Sequence, residues 1–344
     1  AVWTTATGER IAGQEDEPNE SGATAMLLAF DGDSIAVSGR LALRGEGASD
    51  RDLYRLPIDD AHAGRFTDIR LLGQGTDERR LCLLDMTETE LRCVSGNGGT
   101  ALNDLVLAAG DYLIAVSGVP APDSPYLLRV EVTGEAVSGF EQEPNDRPDL
   151  ASPLAPDGDG WTGSGRLGTE DIDHVAVTIS GEPQLWRIDL TGEAGVTVEL
   201  LEATGSAVMK SDSGPNGPVI NDAYLVPGTQ MLRIAGAGDY TVTLTPLGPP
   251  DPQQEREPNN ALDRSQPIRL AETRTGRLAT AGDYDAYRFS LQGETAVRIE
   301  TTAPDDAQVA LQLEWQGVSV TTVETTGPGE PAVYTGTLQA GDYA

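Results

Sequence analysis

Positive charge is scarce in this sequence. Its 344 residues include 23 Lys and Arg against 55 Asp and Glu, a formal net charge of −32, and the one lysine is Lys210. A nucleic acid is held by cations that neutralise its phosphates, so a chain of this charge is excluded as a nucleic-acid-binding protein. Binding to an anionic membrane surface is excluded for the same reason.

Histidines and catalytic motifs are scarce as well. The two histidines, His62 and His174, have no partner pattern, and we expect both to be incidental surface residues. The chain has no Gly-x-Ser-x-Gly elbow, no His-Glu-x-x-His pair and no P-loop. Residues 163–168 fit Gly-x-Gly-x-x-Gly, but they lead into a predicted strand rather than a helix. We therefore predict that this segment is not an enzyme, and we leave open a catalytic domain elsewhere in a longer protein.

The sequence also lacks long apolar runs and the 3.6-residue period of amphipathic helices. No run approaches the roughly 18 apolar residues of a membrane span, which predicts no membrane insertion in this segment. Apolar residues instead alternate with polar ones in short runs, as in 185–190, 287–291 and 309–315. Alternation with a period of two, interrupted by clusters of Gly, Pro, Asp and Asn, is typical of antiparallel β-sandwiches.

Three sequence blocks occur three times in the same order. Glu-x-Glu-Pro-Asn, Gly-Arg-Leu and Asp-x-Asp follow one another at 15–19, 39–41 and 50–52, then at 141–145, 165–167 and 171–173, then at 255–259, 276–278 and 283–285. Gly-Asp-Tyr strands at 110–116 and 238–244 close the first two units, and 341–344 begins a third. Ordered repeats of this kind indicate a tandem array of one domain type.

The repeats divide the chain into modules. We predict an all-β protein of three tandem antiparallel β-sandwich modules at 12–136, 137–249 and 250–344, the third truncated at its C-terminus. Residues 1–11 are interpreted as a leading strand or as the tail of an upstream module, and the Pro-rich join at 246–252 predicts a short, stiff linker. Further domains of the same chain are expected upstream and downstream.

The ordered blocks resemble the bacterial pre-peptidase C-terminal (PPC) domain. The likeness covers the first two modules and most of the third. Members of that family are small jelly-roll sandwiches attached to secreted proteases and other exported proteins, and similar modules in clostridial collagenases bind calcium and collagen. The resemblance therefore implies jelly-roll-like modules and an extracytoplasmic location, whether secreted, on the cell surface or periplasmic.

The repeated acidic blocks suit calcium, which takes six to eight oxygen ligands. In an extended strand, Glu-x-Glu-Pro-Asn points two carboxylates and an amide oxygen to one side. In the calcium-binding branch of the family, this segment and the Asp-x-Asp loop meet around the ion. The ligands that the resemblance implies are Glu15, Glu17, Asn19, Asp50 and Asp52 in module one; Glu141, Glu143, Asn145, Asp146, Asp171 and Asp173 in module two; and Glu255, Glu257, Asn259, Asp283 and Asp285 in module three.

We expect calcium in at least one module, with module two the best match. Asp146 follows the asparagine there, where the other modules have Glu20 and Asn260. The alternative is that the repeated arginines Arg40, Arg166 and Arg277 neutralise the glutamate pair without a metal ion. Clustered carboxylates repel one another, so one of these cations is required.

The two cysteines are predicted to form a disulfide. If Thr87 and Glu88 form a two-residue turn, Cys82 and Cys93 lie directly opposite each other on paired strands. A disulfide there would contribute about 3 kcal/mol and would indicate an oxidising compartment. Two buried thiols are the alternative.

Two functions remain open at this stage. The first is a structural spacer or adhesive array, stiffened by calcium at each module entrance. The second is an accessory region that brings a peptidase or other hydrolase, encoded elsewhere, to a protein fibre or polysaccharide. The second predicts exposed aromatics, for which Trp161, Trp186, Trp315 and Tyr126 are candidates, although Trp186 alternates in phase with core residues. The low aromatic content of 5% favours the first.

Overall fold

The structure is a computed structural model. It describes residues 13–41, 43–44, 48–73, 76–118, 124–168, 171–193, 195–202, 205, 208–212, 217–278, 283–305 and 307–344. The predicted leading strand or upstream tail at 1–11 lies outside these residues.

Within the described ranges the long elements are all β-strands, and the helices are two single 3-10 turns, Pro148–Leu150 and Leu262–Arg264. No helix there is long and apolar enough to cross a membrane. The all-β prediction is confirmed.

Module one consists of two five-stranded sheets packed face to face. Its strands are β1 (Gly13–Gln14), β2 (Met26–Leu27), β3 (Ser34–Leu41), β4 (Leu43–Arg44), β5 (Ala48–Ser49), β6 (Arg51–Ile58), β7 (Arg65–Gly73), β8 (Glu78–Leu84), β9 (Glu90–Asn97), β10 (Gly99–Val106), β11 (Gly110–Gly118) and β12 (Ser124–Glu135). One sheet has the order β1-β3-β12-β7-β10, and the other has the order β2-β6-β11-β8-β9. Strands β4 and β5 form a separate antiparallel pair.

The period-two pattern explains why these strands bury one face. In β3, alternate residues from Ile35 to Leu41 are buried, while the residues between them are more exposed. The apolar side chains among them meet Tyr54 and Ile114 of the opposite sheet in one core. Alternation therefore selects the face of each strand, and two such faces close the sandwich.

Module two repeats this architecture. Its strands are β13 (Ser152–Pro153), β14 (Ala155–Asp157), β15 (Gly160–Leu167), β16 (Ile172–Ile179), β17 (Gln184–Gly192), β18 (Thr197–Leu201), β19 (Val208–Asp212), β20 (Val219–Leu225), β21 (Gly228–Ala235) and β22 (Gly238–Gly248). The sheets have the orders β14-β15-β22-β17-β20 and β13-β16-β21-β18-β19. By position, β15, β17, β20 and β22 correspond to β3, β7, β10 and β12, and β16, β18, β19 and β21 correspond to β6, β8, β9 and β11.

Module three has one full sheet and one small one. Its strands are β23 (Gln266–Pro267), β24 (Tyr287–Leu291), β25 (Thr295–Thr301), β26 (Ala310–Trp315), β27 (Val318–Glu324), β28 (Ala332–Leu338) and β29 (Gly341–Tyr343). The five-stranded sheet has the order β23-β24-β29-β26-β27, and β25 pairs with β28 alone in a two-stranded sheet. Within the described part of module three, no strand corresponds to β12 or β22.

The Gly-Asp-Tyr strands are not equivalent to one another, contrary to the sequence alignment. The strands at Gly110 and Gly341 are the penultimate strands of the sandwich plan, whereas the strand at Gly238 is the last one. The true counterpart in module two is β21, which begins at Gly228. Strands β11, β21 and β29 each begin with a glycine, whose φ is 152°, 131° and 154° respectively, in a region that favours glycine. The glycine is therefore present in all three strands, although β21 lacks the tyrosine.

Consecutive modules are joined through the edge strands β10 and β20. In module one, Val106 N–H donates to the Glu143 carbonyl at 2.6 Å, and Glu143 N–H donates to the Asp104 carbonyl at 3.1 Å. Module two repeats the same bridge to module three, with Tyr224 N–H to Glu257 O at 2.7 Å and Glu257 N–H to Asp222 O at 3.1 Å. The second glutamate of the second and third repeats thus extends the preceding module's sheet by one residue.

Candidate functional site

The opening segments, defined as residues 15–19, 141–145 and 255–259, lie between the Gly-Arg-Leu strand and the Asp-x-Asp strand of their own module. The N–H of the first glutamate donates to the Gly-Arg-Leu strand in each case: Glu15 to Ser38 O at 2.8 Å, Glu141 to Ser164 O at 2.8 Å and Glu255 to Thr275 O at 2.9 Å. The asparagine carbonyl accepts from the Asp-x-Asp strand: Leu53 N–H to Asn19 at 2.9 Å, His174 N–H to Asn145 at 3.0 Å and Ala286 N–H to Asn259 at 3.1 Å. The Glu-Pro peptide is cis in all three segments. These backbone bonds bring the predicted ligands together.

The glycine of Gly-Arg-Leu is required by the first glutamate. A Cβ at Gly39, Gly165 or Gly276 would collide with the Oε2 atom of Glu15, Glu141 or Glu255 respectively. The N–H of the following arginine donates to the same carboxylate, at 2.8 Å for Arg166 and 2.5 Å for Arg277. The Gly-Arg pair therefore acts through its backbone, as a cradle for a carboxylate.

Each module gathers acidic groups into what we call its acidic cluster. Sets of carboxylate oxygens within 4.8 Å of one another are Glu15, Glu17 and Asp52, together with Glu17, Glu20 and Asp50, in module one; Glu143, Asp171 and Asp173 in module two; and Glu255, Glu257 and Asp285 in module three. Three predicted ligands lie beside these sets. Glu141 contacts Asp173, Asp146 contacts Arg92, and Asp283 accepts a hydrogen bond from Asn260 Nδ2 at 2.8 Å.

Burial raises the pKa of several of these carboxyl groups. Desolvation, reinforced by neighbouring carboxylates, raises the pKa of Asp52 to about 8 and the pKa of Asp173 to about 10. Desolvation also raises the pKa of Glu143 to about 8 and of Glu255 to about 9. Because the ionised forms are costly in these places, the clusters require protons or cations at neutral pH.

Tyrosine hydroxyls from the last strands complete two of the clusters. Tyr126 in β12 donates to Asp52 Oδ2 at 2.5 Å and lies 2.6 Å from the Tyr54 hydroxyl. Tyr240 in β22 donates to Glu141 Oε2 at 3.3 Å. Both tyrosines are buried, so the suggestion of Tyr126 as an exposed binding aromatic is wrong.

The acidic cluster of module two contains an arginine that belongs to module one. Arg92, in β9, is 8% exposed and places its guanidinium 2.8 Å from Asp171, 3.0 Å from Asp146 and 3.7 Å from Glu143. Sequence reasoning missed this contact, because the arginine stands about fifty residues upstream and outside every repeated block.

In module two, the repeated arginine is not the buried partner of the glutamate pair. The Arg166 side chain is largely exposed and pairs with Asp239 at 2.7 Å. Arg277 and Arg40 are also exposed. In module two the neutralising cation is thus Arg92, and what the Gly-Arg-Leu block supplies is the backbone N–H.

The three asparagines of the opening segments are fully buried. The Oδ1 atoms of Asn19 and Asn145 have no hydrogen-bond partner among the described residues, and the same holds for Asn19 Nδ2. The Asn259 amide nitrogen, when turned toward the cluster, lies 3.3 Å from Glu257 Oε2 and 3.2 Å from Asp285 Oδ1. A buried acceptor without a donor is costly, and a bound cation would satisfy it.

These observations change which cluster suits calcium best. Module one offers two overlapping carboxylate sets and a buried asparagine oxygen without a hydrogen-bond partner. Carboxylate and amide oxygens are the ligands that calcium prefers. In module two, Arg92 already contacts three of the carboxylates. The preference for module two that Asp146 suggested is therefore not supported by the geometry, because Asp146 pairs with this guanidinium.

The two histidines are not incidental surface residues. His62 is 8% exposed, stacks on Phe30 with ring centroids 4.0 Å apart, and has Nδ1 2.6 Å from Asp59 Oδ1. His174 is 5% exposed, and its Nδ1 lies 3.1 Å from the Asn145 carbonyl. His62 Nε2 also lies 3.1 Å from the Gly32 carbonyl, so this ring joins two loops, and His174 joins β16 to the opening segment of module two.

The remaining aromatic candidates do not form a surface. Trp186 is buried in the core, as its phase predicted, and Trp161 packs against the same core while partly exposed. Trp315 is 42% exposed, with its ring 6.5 Å from that of Tyr343.

The predicted disulfide between Cys82 and Cys93 is confirmed. The two residues are opposite each other on β8 and β9, with Cα atoms 4.1 Å apart. The two-residue turn is wrong, since the register shifts between Leu83 and Leu84 and the loop is closed by Asp85 N–H to Thr89 O at 3.0 Å. The extra residue of this bulge shifts the pairing from Leu84–Glu90 to Leu83–Arg92, and this shift is what places Cys82 opposite Cys93.

Comparison with known proteins gives no family. The chain matches no protein-family profile and no curated protein. Similar solved structures include tripeptidyl peptidase 2 (TPP II) at 10% identity and TM-score 0.23, covering 66% of this chain and 24% of that one. The PBSX exported protein XepA matches at 13% identity and TM-score 0.19, covering 56% of this chain and 81% of that one. A β-glucuronidase of Faecalibacterium prausnitzii matches at 10% identity and TM-score 0.19, covering 56% of this chain and 41% of that one. The chain thus spans less than half of the peptidase and of the glucuronidase.

Proposed function

We propose that this region is a non-catalytic spacer or adhesive array of PPC-like β-sandwich modules in an exported bacterial protein. The acidic clusters of modules two and three serve as joints, at which the preceding module docks on the opening segment of the next. The observation that carries the proposal is Arg92, which reaches from module one into the cluster of module two beside the backbone bridge at Glu143.

Such a joint resists bending because it combines two kinds of contact. The backbone bridge fixes the opening segment against β10, and the buried guanidinium fixes the Asp-x-Asp loop against β9. Separating the modules would remove Arg92 from the carboxylates of Glu143, Asp146 and Asp171 and would break the two backbone hydrogen bonds of the bridge. A stiff array follows from this arrangement.

Calcium is proposed as the cation of module one. Glu15, Glu17, Asp50 and Asp52 would hold it with the Asn19 oxygen, while Tyr126 and Tyr54 orient the Asp52 and Glu15 carboxylates. The ion would supply charge neutralisation and crosslink the opening segment to β6.

Small-angle scattering of the full chain tests the joint. The wild type is expected to fit one extended arrangement, and Arg92→Met is expected to give a broader distribution of distances. Arg80→Met is the matched control, since Arg80 lies on neighbouring β8 and its contacts with exposed Glu90 at 3.0 Å and Cys82 Sγ at 3.3 Å both lie within module one. A wild type that already scatters as freely jointed modules would refute the spacer.

Thermal unfolding with and without calcium tests the metal site. Calcium at a hundredfold excess over its Kd would stabilise module one by roughly 2.7 kcal/mol. We expect Asp52→Asn to abolish this calcium-dependent gain and exposed Asp239→Asn to preserve it. No change on adding calcium to chelator-treated wild type would remove calcium from the proposal while leaving the arginine joint intact.

An extracytoplasmic location is part of the proposal and is supported by the Cys82–Cys93 disulfide, which persists in oxidising compartments. The accessory role in presenting a hydrolase to a fibre or polysaccharide has less support. Of the four aromatic candidates, only Trp315 exposes as much as 42% of its surface.

A further inference from the structure

The joint between modules two and three is built like the joint between modules one and two. Each edge strand that receives the next module has a β-bulge at an Asn-Asp pair, at 103–104 in β10 and at 221–222 in β20. The aspartate has a left-handed backbone, with φ of 58° at Asp104 and 55° at Asp222. Its carbonyl accepts the N–H of the incoming glutamate at 3.1 Å in both joints. The two opening segments therefore meet the preceding module at equivalent positions.

Lys210 occupies in module two the register position that Arg92 occupies in module one. In β9, Arg92 stands opposite Leu83 of β8, directly after the extra residue of a bulge. In β19, Lys210 stands opposite Leu200 of β18, also directly after the extra residue of a bulge. Both strands lie beside the edge strand that receives the next module, because β9 contacts β10 and β19 contacts β20. The fold thus places Lys210 at the joint between modules two and three.

The acidic cluster at this joint has one carboxylate fewer than that of module two. The three groups that Arg92 contacts in module two have as counterparts Glu257, Asn260 and Asp283, so an amide replaces one carboxylate. Asn260 Nδ2 donates to Asp283 Oδ1 at 2.8 Å. Glu257 is 2% exposed, and a carboxylate so far from water requires a positive charge or a proton. Where fewer carboxylates converge, the point charge of an ammonium can replace a forked guanidinium.

We infer that Lys210 neutralises the acidic cluster of module three, as Arg92 neutralises that of module two. The partners of this charge are the carboxylates of Glu257 and Asp283. The inference rests on the proposed joint and adds to it a second ion pair between modules, made by the one lysine of the chain. Modules one and two then each carry the cation for the module that follows.

Native-state hydrogen exchange of the full chain tests this assignment, because one amide reports on each joint. At the first joint, Val106 N–H donates to the Glu143 carbonyl at 2.6 Å. At the second joint, Tyr224 N–H donates to the Glu257 carbonyl at 2.7 Å. Each of these amides exchanges when its own joint opens. The measurement is made with a chelator present, so that calcium does not substitute for the protein cation.

Four variants separate the two joints. We expect Lys210→Met to speed exchange at Tyr224 roughly a hundredfold and to leave Val106 within about twofold of the wild type. Arg92→Met should give the reverse pattern, and Lys210→Arg should keep Tyr224 protected. Arg187→Met is the matched control, since it removes a half-exposed ion pair within module two and should change neither amide.

A neutralised cluster separates charge from packing. In the Glu257→Gln/Asp283→Asn background, adding Lys210→Met should change exchange at Tyr224 by no more than about twofold, because the carboxylates are gone. The inference is overturned if Lys210→Met has no effect in the wild-type background, or if its effect persists in full in the neutralised one. It is also overturned if Val106 and Tyr224 respond equally to Lys210→Met. Freely jointed scattering by a wild type that shows the expected exchange pattern would refute the spacer and support the ion pair.

Discussion

The openings of modules one and two share a sequence pattern but differ in their surroundings. Glu17 is exposed, whereas its counterpart Glu143 is 4% exposed, bonded to β10 and within 3.7 Å of Arg92. Glu143 is buried because β10 and Arg92 of module one pack against it. The acidic cluster of module two is thus completed by residues of its neighbour, which the repeated blocks do not contain.

The largest effect is expected from Arg92→Met, which removes the cation from module two's cluster. Because Glu143, Asp171 and Asp173 are all buried, we expect a loss of about 3–5 kcal/mol from the free energy of unfolding, measured by urea denaturation. Adding Glu143→Gln and Asp171→Asn should restore part of it, since neutral side chains need no counter-charge. Failure of this rescue would mean that Arg92 acts by packing alone.

A second difference between modules one and two is the disulfide, which is present in module one and has no counterpart in module two. The pair Cys82–Cys93 corresponds in register to Glu199 and Ser211, so only module one is crosslinked at this position. Replacing both cysteines by alanine should cost module one about 3 kcal/mol, and reductant should reproduce the change in calorimetry. Reductant that also shifts the transition of module two would contradict independent module cores.

Tyrosine-to-phenylalanine variants compare the two clusters at a single hydroxyl. Tyr126 makes short bonds to Asp52 and Tyr54, whereas the Tyr240 hydroxyl makes a longer bond of 3.3 Å to Glu141 and also interacts with Asp173. We therefore expect Tyr126→Phe to cost about 2 kcal/mol and Tyr240→Phe about 0.5 kcal/mol in chemical denaturation. The reverse order would show that bond length is a poor guide to these networks.

The smallest effect is expected at the repeated arginine. Arg166 pairs with Asp239 on the surface, so Arg166→Met should change the free energy of unfolding by less than about 1 kcal/mol, and less still in high salt. A loss comparable to that of Arg92→Met would revive the idea that the repeated arginines neutralise the glutamates.

Much of the fold could be read from local sequence. Alternation in β3 gave the buried face, and the facing positions of Cys82 and Cys93 followed from hairpin pairing, even though the turn was misplaced by a bulge. The prediction that the Gly-Asp-Tyr strands β11 and β22 are equivalent was wrong, because both strands begin with the same residues although they occupy different positions in the sandwich. Only the order of strands across the sheet separates the two.

By itself, the sequence determined the all-β class, the threefold repeat and the gathering of each module's own carboxylates, because these depend on residue periods and on blocks that lie within one unit. Tertiary structure alone decided which cation meets those carboxylates. Arg92 and Asp171 are brought to 2.8 Å by the docking of one sandwich on the next. An ion pair between groups so far apart in the chain depends on where two folded surfaces meet, and no local pattern records that.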